Sequence, residues 1–270
     1  MHGAYLGDAG PASQPRGIHI QSIDLNADLG EHDGDGYASD EELLSVVSSA
    51  SIACGAHAGN AVVMEETARR AAARGVSIGA HPSYPDRGGF GRREMVITLE
   101  RLVAAVAAQV ELMLECAARA GARVTYVKPH GALYNRAMRD AELAESIVST
   151  IASIDRGLAV LSLPDRELAV AAGSRGLSVA SEGFIDRAYD SSGGLVPRFI
   201  PGAVLGDVDD AARRAVKLAR GRPIESIDNQ PLVLTVNSLC VHSDSDHAVE
   251  MVTATRRELE RADFSIAAFA

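Results

Sequence analysis

The sequence predicts an α/β protein built on a parallel sheet, and three observations carry that reading. Short apolar runs alternate with amphipathic segments nearly from end to end. The amphipathic segments repeat their apolar residues at spacings of three and four, the period of a helix. Strands separated by helices pair in parallel, because a parallel return needs a crossover. Seven or eight such units favour a closed, TIM-like (β/α) barrel over an open doubly wound sheet, although periodicity alone does not separate the two.

The strand-like runs fall at residues 20–25, 51–54, 76–80, 124–128, 158–163, 177–180 and 232–236, with a weaker eighth at 264–269. After the first, "SDEELLSVVSSA" places Ser39 three residues before Glu42, a capping-box spacing that predicts a helix start. "TLERLVAAVAAQVELMLECAARAG" keeps Leu99, Leu102, Val103, Val106, Val110, Met113 and Leu114 on one stripe and stops at Gly121. "DDAARRAVKLARG" repeats the theme. The exception is the stretch 183–206, "GFIDRAYDSSGGLVPRFIPGAVLG", punctuated by glycine and proline. A loop of that length inside a compact domain is functional or disordered. Residues 1–17 read as a flexible tail and 18–270 as one barrel domain, with no internal repeat.

Composition narrows the function classes. The 270 residues are 47% hydrophobic and 23% charged, ordinary for a globular protein, and no run of about 18 apolar residues predicts a membrane span. The first residues lack the basic start and apolar stretch of a secretory signal. A net charge of −10 without any lysine/arginine cluster argues against nucleic acid or an anionic membrane as partner. Three scattered cysteines, Cys54, Cys116 and Cys240, make no disulfide framework, so a cytoplasmic, reducing location is expected. With no tryptophan and 4% aromatic residues, stacking platforms for sugars are scarce.

In a parallel α/β fold, ligands gather where the strands hand over to the following loops. The first exit reads "DLNADLGE", where Asp24, Asn26 and Asp28 share one face and Glu31 follows. The second supplies His57, the third His81 and Asp86, and the fourth Lys128 and His130. The sixth supplies Glu182, Asp186 and Arg187; Asn237, His242 and Asp244 follow the seventh. Each has a plain structural reading. A histidine beside glycine serves as a loop hydrogen-bonder, Asp28 and Glu31 can tie down loop amides, and Asp86 next to Arg87 can shape a turn. Coincidence outweighs these, because four of the eight histidines sit just past predicted strand ends. Such groups at one rim suggest a polar pocket. An aspartate with histidines can hold a divalent metal, or the same groups can act as general acid and base beside a stabilising lysine. No HExxH, paired CxxC, GxSxG or Walker-type motif occurs, and "GGFGRRE" is weak as a nucleotide motif.

These rim segments resemble the LamB/YcsF family. The matching pieces are "DLNADLGE", "IACGAHAG", "GAHPSYPDRGGFGRR", "YVKPHGALYN", "FIDRAYDSSGGLVPR", "GAVL" and "LCVHSD", in the family's order over nearly the whole body. Local departures are "HDGDG" after Glu31, Ala56 in place of a common phenylalanine, and "VHSDSDHA" in place of a usual "VHGDTPGA". The resemblance implies a seven-stranded barrel similar to that of carbohydrate deacetylases. It also implies a reaction, the ATP-dependent hydrolysis of 5-oxo-L-proline to L-glutamate by a 5-oxoprolinase that includes partner subunits B and C, with ATP handled together with those partners. Carried onto matched positions, Asp28 is base or metal ligand, and Lys128 and His130 are catalytic, Lys128 as oxyanion or phosphate stabiliser. Asn26, Glu31, His57, Arg92, Asp186 and Arg187 bind or orient the substrate, Arg92 and Arg187 through its carboxylate. Asp86 is a further orienting residue. If a divalent metal is bound, its ligands are Asp28, His57, His81 and His130. Two rival expectations stand beside this one: a metal-dependent carbohydrate N-deacetylase, and a non-catalytic small-molecule binding protein.

Overall fold

The computed structural model describes residues 21–245 and 247–270; the tail expected at residues 1–17 lies outside them. In chain order come β1 (Gln21–Leu29), α1 (Tyr37–Leu44), β2 (Ser49–Ala53), α2 (Ala61–Ala73), β3 (Ser77–His81) and α3 (Leu99–Arg119). Then follow β4 (Val124–Val127), α4 (Gly131–Ala137), α5 (Ala141–Ile154), β5 (Ala159–Ser162), α6 (Glu167–Ser174) and β6 (Val179–Phe184). The chain continues through α7 (Val208–Ala219), β7 (Ile224–Glu225), β8 (Pro231–Leu232), β9 (Ser238–Val241), α8 (Ala248–Arg261) and β10 (Phe264–Ile266). Strands β1 to β6 pair in sequence order, all in parallel. β9 inserts between β6 and β1 and closes a seven-stranded barrel.

Two strand expectations need correction. The seventh barrel strand is β9, not residues 232–236. The apolar run ahead of it contributes only β8, one half of an antiparallel pair with β7. Periodicity pointed to the wrong run because β9 turns Ser238 and Cys240 toward a polar interior, which leaves only Leu239 and Val241 as an apolar signal. The eighth run gives β10, which pairs with the first three residues of β1 outside the ring. Beyond it, Phe269 stacks edge-on against Tyr126 at 5.0 Å and covers the amino end of the barrel with Ala159, Leu161 and Ala180.

Helix starts follow the local chemistry. Asn60, Thr98, Asp140 and Asp207 each accept a first-turn amide hydrogen at the heads of α2, α3, α5 and α7. The expected Ser39/Glu42 box does not form. α1 begins at Tyr37 behind Gly36, because Asp40 is turned inward to accept the Gly30 amide at 3.0 Å. On α3, Leu102, Val106, Val110 and Met113 are fully buried, each burial favouring the fold by about 1.5–3 kcal/mol. Among the described residues, no helix is long and apolar enough to cross a membrane.

The barrel interior explains why β1 alternates as it does. Ile23, Leu25, Ala27 and Leu29 pack outward against the helices, while Asp24, Asn26 and Asp28 point inward. Asp24 accepts hydrogen bonds from Ser48, Ser49 and Ser238 at 2.5–2.7 Å. Ser51 meets the Tyr126 hydroxyl at 3.1 Å. Gly79 has no side chain because a Cβ there would meet the Tyr126 ring at 2.2 Å. The interior is therefore a column of mutually bonded polar groups, as burial of polar atoms requires.

The long stretch 183–206 is built rather than loose. It folds back on itself through bridges between Arg187 and Val204 and between Tyr189 and Leu195. Ala188, Val196 and Ala203 form a small core of their own. This segment forms one wall of the barrel mouth.

Candidate active site

The carboxyl ends of the strands surround a cavity of about 330 Å³ lined by Asp28, His81, Lys128, His130, Arg187 and His242, among others. Its floor is a buried ion network. Lys128, at the exit of β4, reaches across the barrel so that its Nζ lies 2.7 Å from Asp28 Oδ1 and 3.0 Å from Glu182 Oε1. The same ammonium donates to Asn26 Oδ1 at 3.2 Å, while the Tyr134 hydroxyl donates to Glu182 Oε2 at 3.0 Å. Burial opposes the Lys128 charge, but Asp28 leads the surrounding groups in holding its pKa well above the ordinary lysine range. Burial likewise opposes ionisation of Asp28, yet His81 and Lys128 hold its carboxyl well below the usual carboxylate range. Both groups are therefore charged near neutrality.

Above this floor, four acceptor atoms converge. His81 Nδ1 lies 2.7 Å from the Lys128 carbonyl oxygen, so that nitrogen carries the hydrogen and donates. His130 Nε2 lies 3.0 Å from the Phe90 carbonyl oxygen and must donate as well. In the neutral rings this leaves His81 Nε2 and His130 Nδ1 as lone pairs, facing each other at 3.0 Å. Asp28 Oδ2 lies 3.3 Å from the first and Glu31 Oε1 lies 3.4 Å from the second. Burial, with the charges of His57 and His81, pushes His130 well below its ordinary range, which keeps its ring neutral. Four lone-pair atoms within 4.8 Å of one another need a cation or a proton among them. Burial and the Asp28 charge push the Glu31 carboxyl up to about 7, so Glu31 can carry that proton. The donor set, two imidazole nitrogens and two carboxylate oxygens, also fits a divalent metal ion. Gly91, at φ +63°, backs this cluster, where a Cβ would stand 3.0 Å from both His130 and His57.

The ligand set differs from the expectation at one place. Glu31 takes the position expected of His57. His57 instead stacks on His130, with ring centroids 3.8 Å apart, and its Nε2 lies 3.2 Å from Glu31 Oε1. Burial pushes His57 down to about 4, so it is a neutral wall of the site. Asn26 is fully buried beneath Lys128, bonded to it and to Ser238, and does not line the cavity. Lys128 has spent its hydrogens on Asp28, Glu182 and Asn26, which disfavours the expected oxyanion contact and makes it the group that holds Asp28 ionised. Asp86 is not an orienting residue of the site. Its carboxylate caps the Gly89 amide and pairs with Arg93 on the surface.

The rim is cationic. Arg92, Arg187 and Arg198 all line the cavity mouth, with Asp244 paired to Arg92 and 3.5 Å from Arg198. Arg187 is 4% exposed and spends its hydrogens on the Ala203 and Val196 carbonyl oxygens, and it pairs with no carboxylate among the described residues. Burial and the neighbouring Arg198 charge push it down to about 10, still cationic near neutrality. Asp186 faces away from it and binds His242 and Ser245. Sequence reasoning missed Tyr134, Arg198 and Phe199. Tyr134 lies within the quoted "KPHGALYN", but Arg198 and Phe199 sit in a stretch whose course only the fold reveals.

Fold and site together define a TIM-like α/β-barrel protein with one polar ligand pocket at the carboxyl ends of its strands. The chain belongs to the LamB/YcsF family, whose profile matches residues 23–270. It is 45% identical over 252 residues to a 5-oxoprolinase component of Agrobacterium fabrum, the first of that bacterium's A-type subunits, covering 93% of this chain and 99% of that one. Its fold is similar to the crystal structure of the lactam utilization protein from Thermus thermophilus, with 40% identity and a TM-score of 0.85 over 92% of this chain and all of that one. A family 4 carbohydrate esterase from Streptomyces lividans shares the fold alone, at 11% identity and a TM-score of 0.50, with 93% of each chain covered.

Proposed function

We propose that this chain is the ring-opening component of an ATP-dependent 5-oxoprolinase, which hydrolyses 5-oxo-L-proline to L-glutamate together with partner subunits B and C. The single observation that carries this reading is the convergence of Asp28, Glu31, His81 and His130 on one point beside a cavity with a cationic rim. The names of relatives 45% identical to the chain support the substrate.

In this reading the acceptor cluster takes a proton from the attacking water, Lys128 keeps Asp28 ionised, and Arg187 with Arg92 binds the substrate carboxylate. A five-membered lactam is a resonance-stabilised amide with little strain, so opening it needs activation. We assign that activation to ATP, handled with the partner subunits. A divalent ion held by Asp28, Glu31, His81 and His130 would supply Lewis-acid polarisation of the amide carbonyl. The three buried free cysteines suit a reducing cytoplasm.

The test is reconstitution. Purified chain with and without subunits B and C is given 5-oxoproline and ATP, and glutamate and phosphate release are followed. Turnover is expected only in the full mixture. Turnover by the chain alone would overturn the division of labour, and none in any mixture would overturn the reaction. Acetate release from an N-acetylated sugar without ATP would instead establish the deacetylase reading.

A further inference from the structure

We propose that His242 is the general acid that protonates the leaving ring nitrogen, with Asp186 as its positioning residue; this deepens the ring-opening reading and rests on it. His242 follows β9. In the ring order β1-β2-β3-β4-β5-β6-β9, that strand is three steps from both β3 and β4, as far as a seven-stranded barrel allows. His242 therefore faces the cavity from the wall opposite His81 and His130, and it lines the same space.

Its ring is held from two sides. His242 Nδ1 donates to Asp186 Oδ2 at 2.8 Å, and the ring stacks on Phe184 at 5.2 Å with an 18° interplanar angle. Asp186 is itself fixed by the Ser245 hydroxyl at 2.7 Å and the His242 amide at 3.2 Å. With Nδ1 committed, Nε2 is the atom left for the cavity. A carboxylate behind an imidazole fixes its orientation and stabilises the imidazolium. Burial works against the Asp186 charge, but His242 and the hydrogen bonds hold its carboxyl at about 2, so the stabilising charge is present near neutrality.

An amide breaks only if its nitrogen leaves with a proton, because the unprotonated amine anion is too basic to depart. In the step assigned here, the water oxygen bonds to the carbonyl carbon and the water proton passes to the acceptor cluster. The C–N bond then breaks, its electron pair stays on nitrogen, and that nitrogen takes the Nε2 proton of the His242 imidazolium. The cluster's proton returns through solvent to His242. One water is consumed, and one carboxyl group and one amine are formed. Acid and base stand on opposite walls, so neither quenches the other.

The experiment uses the assembly reconstituted with its partner subunits. His242→Gln should lower kcat by about 10²–10⁴-fold while the calorimetric affinity for 5-oxoproline and the unfolding temperature stay as in the unaltered protein. His242→Gly should regain turnover when imidazole is added. Asp186→Asn, which keeps an acceptor for Ser245, should lower kcat with KM unmoved. Retained kcat, a loss carried wholly by affinity, or a loss that imidazole does not restore would each overturn the assignment. If the unaltered assembly opened no lactam at all, the ring-opening reading would fall first and this one with it.

Discussion

Replacing Lys128 by methionine tests the ion network on which the site is built. The ammonium is 2% exposed and lies 2.7 Å from Asp28 and 3.0 Å from Glu182. Methionine fills most of its volume, so the change is chiefly one of charge. It leaves two carboxylates facing each other in the barrel interior with no cation between them. Removing one partner of a buried pair costs about 3–5 kcal/mol, because the remaining charge stays desolvated. Against a total folding free energy of about 5–15 kcal/mol, that is a third or more of the stability. At about 2–4 °C per kcal/mol for a domain of this size, the unfolding temperature should fall by about 10–15 °C. Urea unfolding at pH 7 in the presence of a chelator measures the loss directly. Two internal controls follow from the same geometry. The deficit should shrink as the pH falls, because protonation of the two carboxylates removes the unpaired charge. Lys128→Met combined with Glu182→Gln should recover part of the loss, since one charge is gone and Tyr134 still has an acceptor. A Lys128→Met protein within about 1 kcal/mol of the original at pH 7 would refute the network as described.

Asp24 gives a pH prediction away from the metal-type cluster. Burial pushes its carboxyl up to about 6 despite three hydroxyl donors, so the native state holds a proton that the unfolded chain releases. Folding stability should therefore fall by up to ~3 kcal/mol as the pH rises from about 4 to about 6, and Asp24→Asn should abolish that slope in unfolding titrations. Divalent ion binding, read by calorimetry on the chelated protein, should be weakened ~10-fold or more by Glu31→Gln and less by His57→Gln. Equal losses would restore His57 to the ligand set. Arg187→Lys keeps the charge but loses the fork, so KM for 5-oxoproline in the reconstituted assembly should rise about 10–100-fold. The same change should leave KM unmoved for a lactam of the same ring size without the carboxylate, if that analogue is turned over.

Much of the fold is legible along the chain, for particular physical reasons. Strands β1 to β6 carry apolar outward faces that must be covered by helices, and the amphipathic segments between them supply that cover. The rim residues are legible because Asp28, His81, Lys128 and His130 each stand at a strand exit, where parallel strands deliver their ends to one face. β9 is not, since its inward Ser238 and Cys240 resemble loop residues until the polar interior they face is known. The capping box at Ser39 also misleads, because a long-range bond between Asp40 and Gly30 outweighs a local preference.

The order of residues specifies which chemistry is on hand: a set of imidazoles and carboxylates, one lysine at a strand end, and the alternation of strands with helices. Who touches whom is settled by the folded barrel. Glu31 rather than His57 joins Asp28, His81 and His130, and Lys128 bonds to Asp28 and Glu182. Folding also sets His242 against Asp186 on the far wall. Barrel closure brings side chains from distant strands within 3–4 Å, and at that range the direction of a lone pair, which no spacing along the chain encodes, selects the partner.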